Sequence, residues 1–137
     1  MQGYNLIVVF SPDKTRILMC RRLKEPYLGL SNFVGGKIEP GEDGTDAAYR
    51  ELWEETGITK DEISLSHLMD FTYPLPPPCK VEVYVGRLRR EVIVHGDENT
   101  LYWSTLKHNF FDMTKYAGEG NIGHILEHVK LHPDLLD

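Results

Sequence analysis

Three carboxylates, Glu51, Glu54 and Glu55, fall within four residues of one another, where like charges repel unless something positive intervenes. At about 100° per residue on a helix, Glu54 and Glu55 lie roughly 60° to one side of Glu51 and 40° to the other, so all three share a face. That pattern suits a hard divalent cation, most simply Mg²⁺, which takes one or two carboxylates and keeps its other positions for water and substrate oxygens. A solvated acidic face would explain the triad equally well in isolation. The preceding stretch GGKIEPGE, residues 35–42, favours the cation. Glycines let main-chain N–H groups approach an anion, a helix N-terminus attracts one, and Lys37 adds a positive charge at the same place. A phosphate-bearing substrate bound through Mg²⁺ is the chemistry these residues describe together.

The elements that must position them can be read from hydrophobic pattern and turn residues. YNLIVVF (4–10) and RILMCRR (16–22) flank the turn-forming SPDKT and predict an N-terminal β-hairpin. Residues 24–42, rich in Gly with two prolines, read as a structured loop with one short strand. Asp43 caps a helix that runs through Glu55 and stops at Gly57. ISLSHLMDFTYPL and KVEVYVGRLRREV alternate as strands do, PPPC between them is a loop tip, and NTLYWSTL is a further short strand. NIGHILEHVKLH (121–132) has apolar residues at helical spacing and ends before Pro133. Strands interleaved with two helices imply an α/β domain with a mixed sheet between helices.

The 137-residue chain suffices for one domain, assigned to 1–137, with its own core. A net charge of -6 disfavours a nucleic-acid polymer as main partner, because neutralising phosphates needs a basic face. The longest apolar run, LIVVF, is too short to cross a membrane, and no basic segment leads into a secretory apolar stretch, so the expected location is the cytoplasm. Cys20 and Cys79 are expected to be unpaired thiols. Oligomeric state is open between monomer and homodimer.

Gly36, five residues, Glu42, seven residues, then Arg50-Glu51-Leu52-Trp53-Glu54-Glu55-Thr56-Gly57-Ile58 resembles the complete Nudix box, with every specified position matched. The resemblance implies an α/β/α sandwich around a mixed sheet and hydrolysis of a nucleoside diphosphate linked to another moiety. It implies Mg²⁺, with Mn²⁺ as a substitute, on Glu54 and Glu55. Glu51 is either a third ligand or the base that deprotonates water. Arg50 is expected to orient a glutamate through charge-assisted hydrogen bonds, and Gly36 and Lys37 to meet phosphate. Glu42 either touches metal through water or holds the loop.

A site of this kind needs an acid from outside the helix, and GDENTLYW offers Asp97 and Glu98. Glu98, five residues before Trp103, resembles the distal glutamate of the oxidised-purine triphosphatase branch and is preferred as a ligand. Asn32 falls where that branch carries a base-contacting asparagine, and Glu119 is the acid nearest to where the branch has an adjacent acidic pair that this chain lacks. The substrate expected is a small-molecule nucleotide, a nucleoside triphosphate with a purine base, oxidised or not, cleaved to monophosphate and pyrophosphate. Pro74 supports an alternative, ADP-ribose or a nucleotide sugar, and a non-catalytic nucleotide-binding module is the rival of another class. Tyr73, Trp103, Phe110, Phe111 and Tyr116 are candidate stacking surfaces. His124 and His128, four apart, could ligate a metal but read more simply as a helix flank.

Overall fold

The computed structural model describes residues 1–137 except 75 and 97, so Asp97 lies outside the described residues. Seven strands form one mixed sheet: β1 (Gln2–Phe10), β2 (Arg16–Arg21), β3 (Ser31–Asn32), β4 (Lys37–Ile38), β5 (Ser66–Tyr73), β6 (Cys79–Arg87) and β7 (Thr100–Thr105). Two helices, α1 (Gly44–Thr56) and α2 (Asn121–Leu131), are followed by a 3₁₀ turn at Pro133–Leu136.

β1 is continuously apolar from Leu6 to Phe10 because both of its faces are covered there. Ile7 and Val9 point to a core built with Leu18, Ala48, Leu52 and Ile58 on the α1 side. Val8 and Phe10 point to a second core with Met19, Val83, Ile122, Ile125 and Val129 on the α2 side. The sheet is thus the middle layer of an α/β/α sandwich, as expected. β1 runs parallel to β6 from Gln2 opposite Cys79 to Phe10 opposite Arg87, and β5 is antiparallel to β6.

The N-terminal hairpin is briefer than its sequence suggests. β1 and β2 are in register only at Phe10 and Ile17, after which β2 parts from β1 and pairs with β3 at Cys20 and Arg21, while β7 pairs with it throughout, from Arg16 to Arg21. The opening is filled by residues 34–38, whose main chain docks on β1: Val34 bridges Ile7, the Asn5 N–H donates to Gly36 O at 2.9 Å, and Gly3 pairs with Ile38. This inserted segment contributes the second short strand, β4, that the pattern of the loop had not indicated.

α1 starts and stops where its capping residues dictate. The Asp43 carboxylate accepts from the Asp46 N–H at 3.3 Å, and Gly57 takes the left-handed conformation (φ 81°) that lets its N–H close on Trp53 O. Ala47, Ala48 and Leu52 form its buried stripe, with burial of Leu52 alone contributing about 2 kcal/mol. That stripe fixes the rotation of the helix and turns Glu51, Glu54 and Glu55 toward the gap between β1 and β2. Cys20 is buried and Cys79 partly so, and both thiols are free. Among the described residues no helix is long and apolar enough to cross a membrane.

Candidate active site

Glu51, Glu54, Glu55 and Glu98 line one hollow of about 170 Å³, together with Asn99 and Leu101. The helix supplies three of these acids through its rotation. The fourth arrives because the chain after β6 packs on the C-terminal end of α1, where the His95 N–H donates to Thr56 O at 3.0 Å. The hollow opens into a cleft of about 600 Å³ whose walls include Asn32, Gly36 and Lys37.

Arg50 organises the acidic face from behind. A guanidinium has five N–H donors, and each is used. Nε and one Nη grip the Glu42 carboxylate at 2.7 and 2.9 Å, the other Nη reaches Glu51 at 3.0 Å and Glu54 at 3.1 Å, and the last donation goes to Lys37 O at 3.0 Å. The bidentate grip on Glu42, joined by the Glu39 N–H at 3.0 Å, holds that carboxyl down to about 2. Glu42 is therefore tied into the loop, the arrangement that its loop-holding role needs.

The acids nearer the core behave differently. Burial pushes the Glu55 carboxyl up to about 7, with the charges of Glu51 and Glu98 adding to it, against the Gly35 N–H that donates to Glu55 Oε2 at 3.2 Å. Burial also raises Glu51, with Glu54 and Glu42 contributing and Arg50 opposing. Desolvation and mutual repulsion are the strain that a divalent cation would relieve. The donor set, all carboxylate oxygen, is right for Mg²⁺ or Mn²⁺. Among the described residues no three acids, histidines or cysteines converge tightly enough to hold an ion as they stand. Arg50 bridges Glu51 Oε1 and Glu54 Oε2 and supplies positive charge there, while the other oxygen of each carboxylate makes no hydrogen bond to it.

Gly36 is required by close approach rather than by its backbone angles. A Cβ at this position would collide with the Glu51 carboxylate. The same residue is clamped by Asn5, whose side-chain Oδ1 accepts from the Gly36 N–H at 3.0 Å. Asn5 is 1% exposed, and among the described residues its Nδ2 has no partner.

The remaining candidates divide. Asn32 lines the cleft with its Oδ1 accepting from the Phe33 N–H at 2.8 Å. Glu119 is exposed, and its carboxylate accepts from the Tyr27 hydroxyl at 2.7 and 2.9 Å. Of the aromatic candidates Tyr73 lines the cleft, whereas Phe110 and Tyr116 belong to the α2-side core and Trp103 packs against the α1-side core. Phe111 stacks edge-on against His124. Sequence reasoning passed over Asn5, Arg22, Lys24, Tyr27, Phe71 and Asn121, all in the cleft wall. A signal existed for Asn5, a lone amide in the otherwise apolar NLIVVF, and for Arg22 and Lys24, basic residues entering a glycine-bearing loop.

The family model for the NUDIX domain matches residues 1–123 of this chain. The chain belongs to the Nudix family. Among curated relatives, the Nudix chain is 36% identical over 63 residues to an 8-oxo-dGTP diphosphatase of Escherichia coli, covering 45% of this chain and 49% of the relative. It is 33% identical over 75 residues to an RNA pyrophosphohydrolase of Erythrobacter litoralis, covering 53% and 46%. The chain thus spans about half the length of these relatives. A C. elegans Ap4A hydrolase structure superposes with a TM-score of 0.75 at 20% identity over 96% of this Nudix chain and 98% of that one, a likeness of fold.

Proposed function

We propose that this Nudix protein is a pyrophosphohydrolase that cleaves a small-molecule nucleoside triphosphate, with a purine base, to monophosphate and pyrophosphate in a divalent-metal-dependent reaction. Nudix hydrolases generally use divalent ions such as Mg²⁺. The observation that carries the reading is the gathering of Glu51, Glu54, Glu55 and Glu98 around one hollow that opens into a cleft bearing Arg22, Lys24 and Lys37. The acids alone would repel a polyphosphate, and the three cations across the opening are placed to receive it.

In this reading Glu54, Glu55 and Glu98 hold the cation, which when bound screens the phosphate oxygens and acidifies water. Water adds to phosphorus, the bridging P–O bond breaks, and the water's proton passes to Glu51. Glu51 suits the task because burial raises its carboxyl and Arg50 steadies it. In the same reading the Gly36 and Lys37 segment, Arg22 and Lys24 meet the phosphates, and Asn32 and Tyr73, which also line the cleft, meet the base. The E. coli relative's activity toward 8-oxo-dGTP supports the oxidised-purine form of this reading.

The test is product analysis on 8-oxo-dGTP, dGTP, other nucleoside triphosphates, ADP-ribose, diadenosine polyphosphates and 5′-triphosphate RNA, each with Mg²⁺ and with chelator. Mg²⁺-dependent release of pyrophosphate, fastest from a free purine nucleoside triphosphate, is expected. Preference for ADP-ribose or for RNA ends would replace the substrate, and binding without release of any product would make the chain a nucleotide-binding module.

A further inference from the structure

Two of the three non-glycine residues with left-handed backbone angles among the described residues touch each other. Tyr27 has φ 66° and Glu119 has φ 55°, and the Tyr27 hydroxyl donates to the Glu119 carboxylate at 2.7 and 2.9 Å. Such angles persist only where the surroundings over-determine them. Here they join two segments distant in sequence, the loop between β2 and β3 and the turn before α2.

That loop is itself a built object. The Arg22 N–H donates to Leu30 O at 2.9 Å, the Gly29 N–H to Arg22 O at 2.8 Å, and the Arg22 Nε to Pro26 O at 2.7 Å. Its root is fixed to the turn segment by Ser31 and Lys115 main-chain atoms at 2.9 Å. Its far end reaches the same segment through Tyr27. Between root and tip it carries Arg22 and Lys24, two of the cleft's three cations. Burial and the neighbouring carboxylate raise the Tyr27 hydroxyl well above its ordinary range, so it stays a donor at any working pH.

We infer that Tyr27 and Glu119 form a clasp that positions Arg22 and Lys24 over the phosphate end of the cleft, with Glu119 acting through Tyr27 rather than on the substrate. The inference rests on the proposed polyphosphate reading of the cleft, and both residues are positioning residues. Hydrogen bonds to a charged acceptor are strong enough for their loss to weaken phosphate binding about tenfold.

The experiment measures, for the full chain, the affinity for inorganic triphosphate with Mg²⁺ and, separately, kcat and KM for the fastest nucleotide. Tyr27→Phe and Glu119→Ala are each expected to weaken triphosphate binding and raise KM about tenfold with kcat within about twofold. The double variant should be no worse than either single, and Glu119→Gln, which still accepts from a hydroxyl, should recover most of the loss. Amide exchange across residues 22–30 should quicken in both single variants. Unchanged triphosphate affinity in Tyr27→Phe, additive losses in the double variant, or a Glu119→Ala defect confined to nucleotides with a base would overturn the clasp. A wild-type protein that binds triphosphate through the clasp but hydrolyses no nucleotide would leave the clasp standing and remove the hydrolase reading.

Discussion

Replacing Gly36 by alanine separates the geometry of the acidic site from the stability of the fold. Gly36 does not need a left-handed backbone, so alanine introduces no conformational strain. Its Cβ, however, would lie 2.7 Å from Glu51 Oε1 and closer still to the other carboxylate atoms, where 3.4 Å is an ordinary contact. Glu51 must retreat by about 0.7 Å at that oxygen and about 1 Å overall, a displacement of the size that costs on the order of a hundredfold in rate when it falls on a reacting group. The side chain is long enough to swing, and the hydrogen bond it strains is the one from Arg50 at 3.0 Å, so the stability cost should be about 1 kcal/mol or less. The assay is steady-state turnover of the best nucleotide beside a thermal melt, with Gly3→Ala as control, because a Cβ there makes an ordinary 3.4 Å contact with the Ile38 side chain of β4 and does not press on Glu51. A fall in kcat of about 10²-fold in Gly36→Ala, none in Gly3→Ala, and nearly unchanged melting in both is expected. A Gly36→Ala enzyme within about threefold of wild-type kcat would refute the argument that Glu51 must sit against this glycine.

Glu54→Gln should leave the fold intact, since the side chain is half exposed, while lowering kcat by two or more orders of magnitude at saturating Mg²⁺, because an amide supplies no anionic oxygen to a cation. Unaltered turnover would remove Glu54 from the site. In metal-free protein the Glu55 carboxyl, lifted from 4.5 to about 7 chiefly by burial, keeps its proton in the folded state at pH values where the unfolded chain has lost it. Its contribution is therefore full below about pH 4.5 and is lost as pH rises through about 7, a decline of roughly 1–2 kcal/mol after allowing for solvent in the hollow. Denaturant melts in chelator should show this slope, Glu55→Gln should flatten it, and coincident wild-type and variant profiles would sink the assignment.

The helix that bears the site was legible in the chain because its information is local. Asp43 and Gly57 mark its ends, Leu52 and the two alanines mark its inward face, and Glu51, Glu54 and Glu55 follow from helical spacing alone. Arg50 in that context signalled an ion-pair role, but the sequence could not say that Glu42 would take two of its five hydrogen bonds, since that contact spans a loop. The N-terminal strands were recognisable by composition, yet their splaying was not. Whether β2 stays on β1 or gives up that edge depends on competition from residues 34–38, whose glycine main chain docks where a side-chain-bearing strand could not.

What the sequence by itself determined is the local chemistry: strand and helix types, the acidic turn, and the box spacing that places the chain in the Nudix family. What only the tertiary structure decided is which distant groups meet that chemistry. Glu98 reaches the hollow because the segment after β6 packs on the end of α1. Asn5 supports Gly36 because an inserted segment pairs with β1. Tyr27 and Glu119, 92 residues apart, meet because β3 joins the turn before α2. Periodicity and caps act over a few residues and can be read in order along the chain, whereas these pairings depend on the energies of whole layers packing together, which no single stretch of sequence encodes.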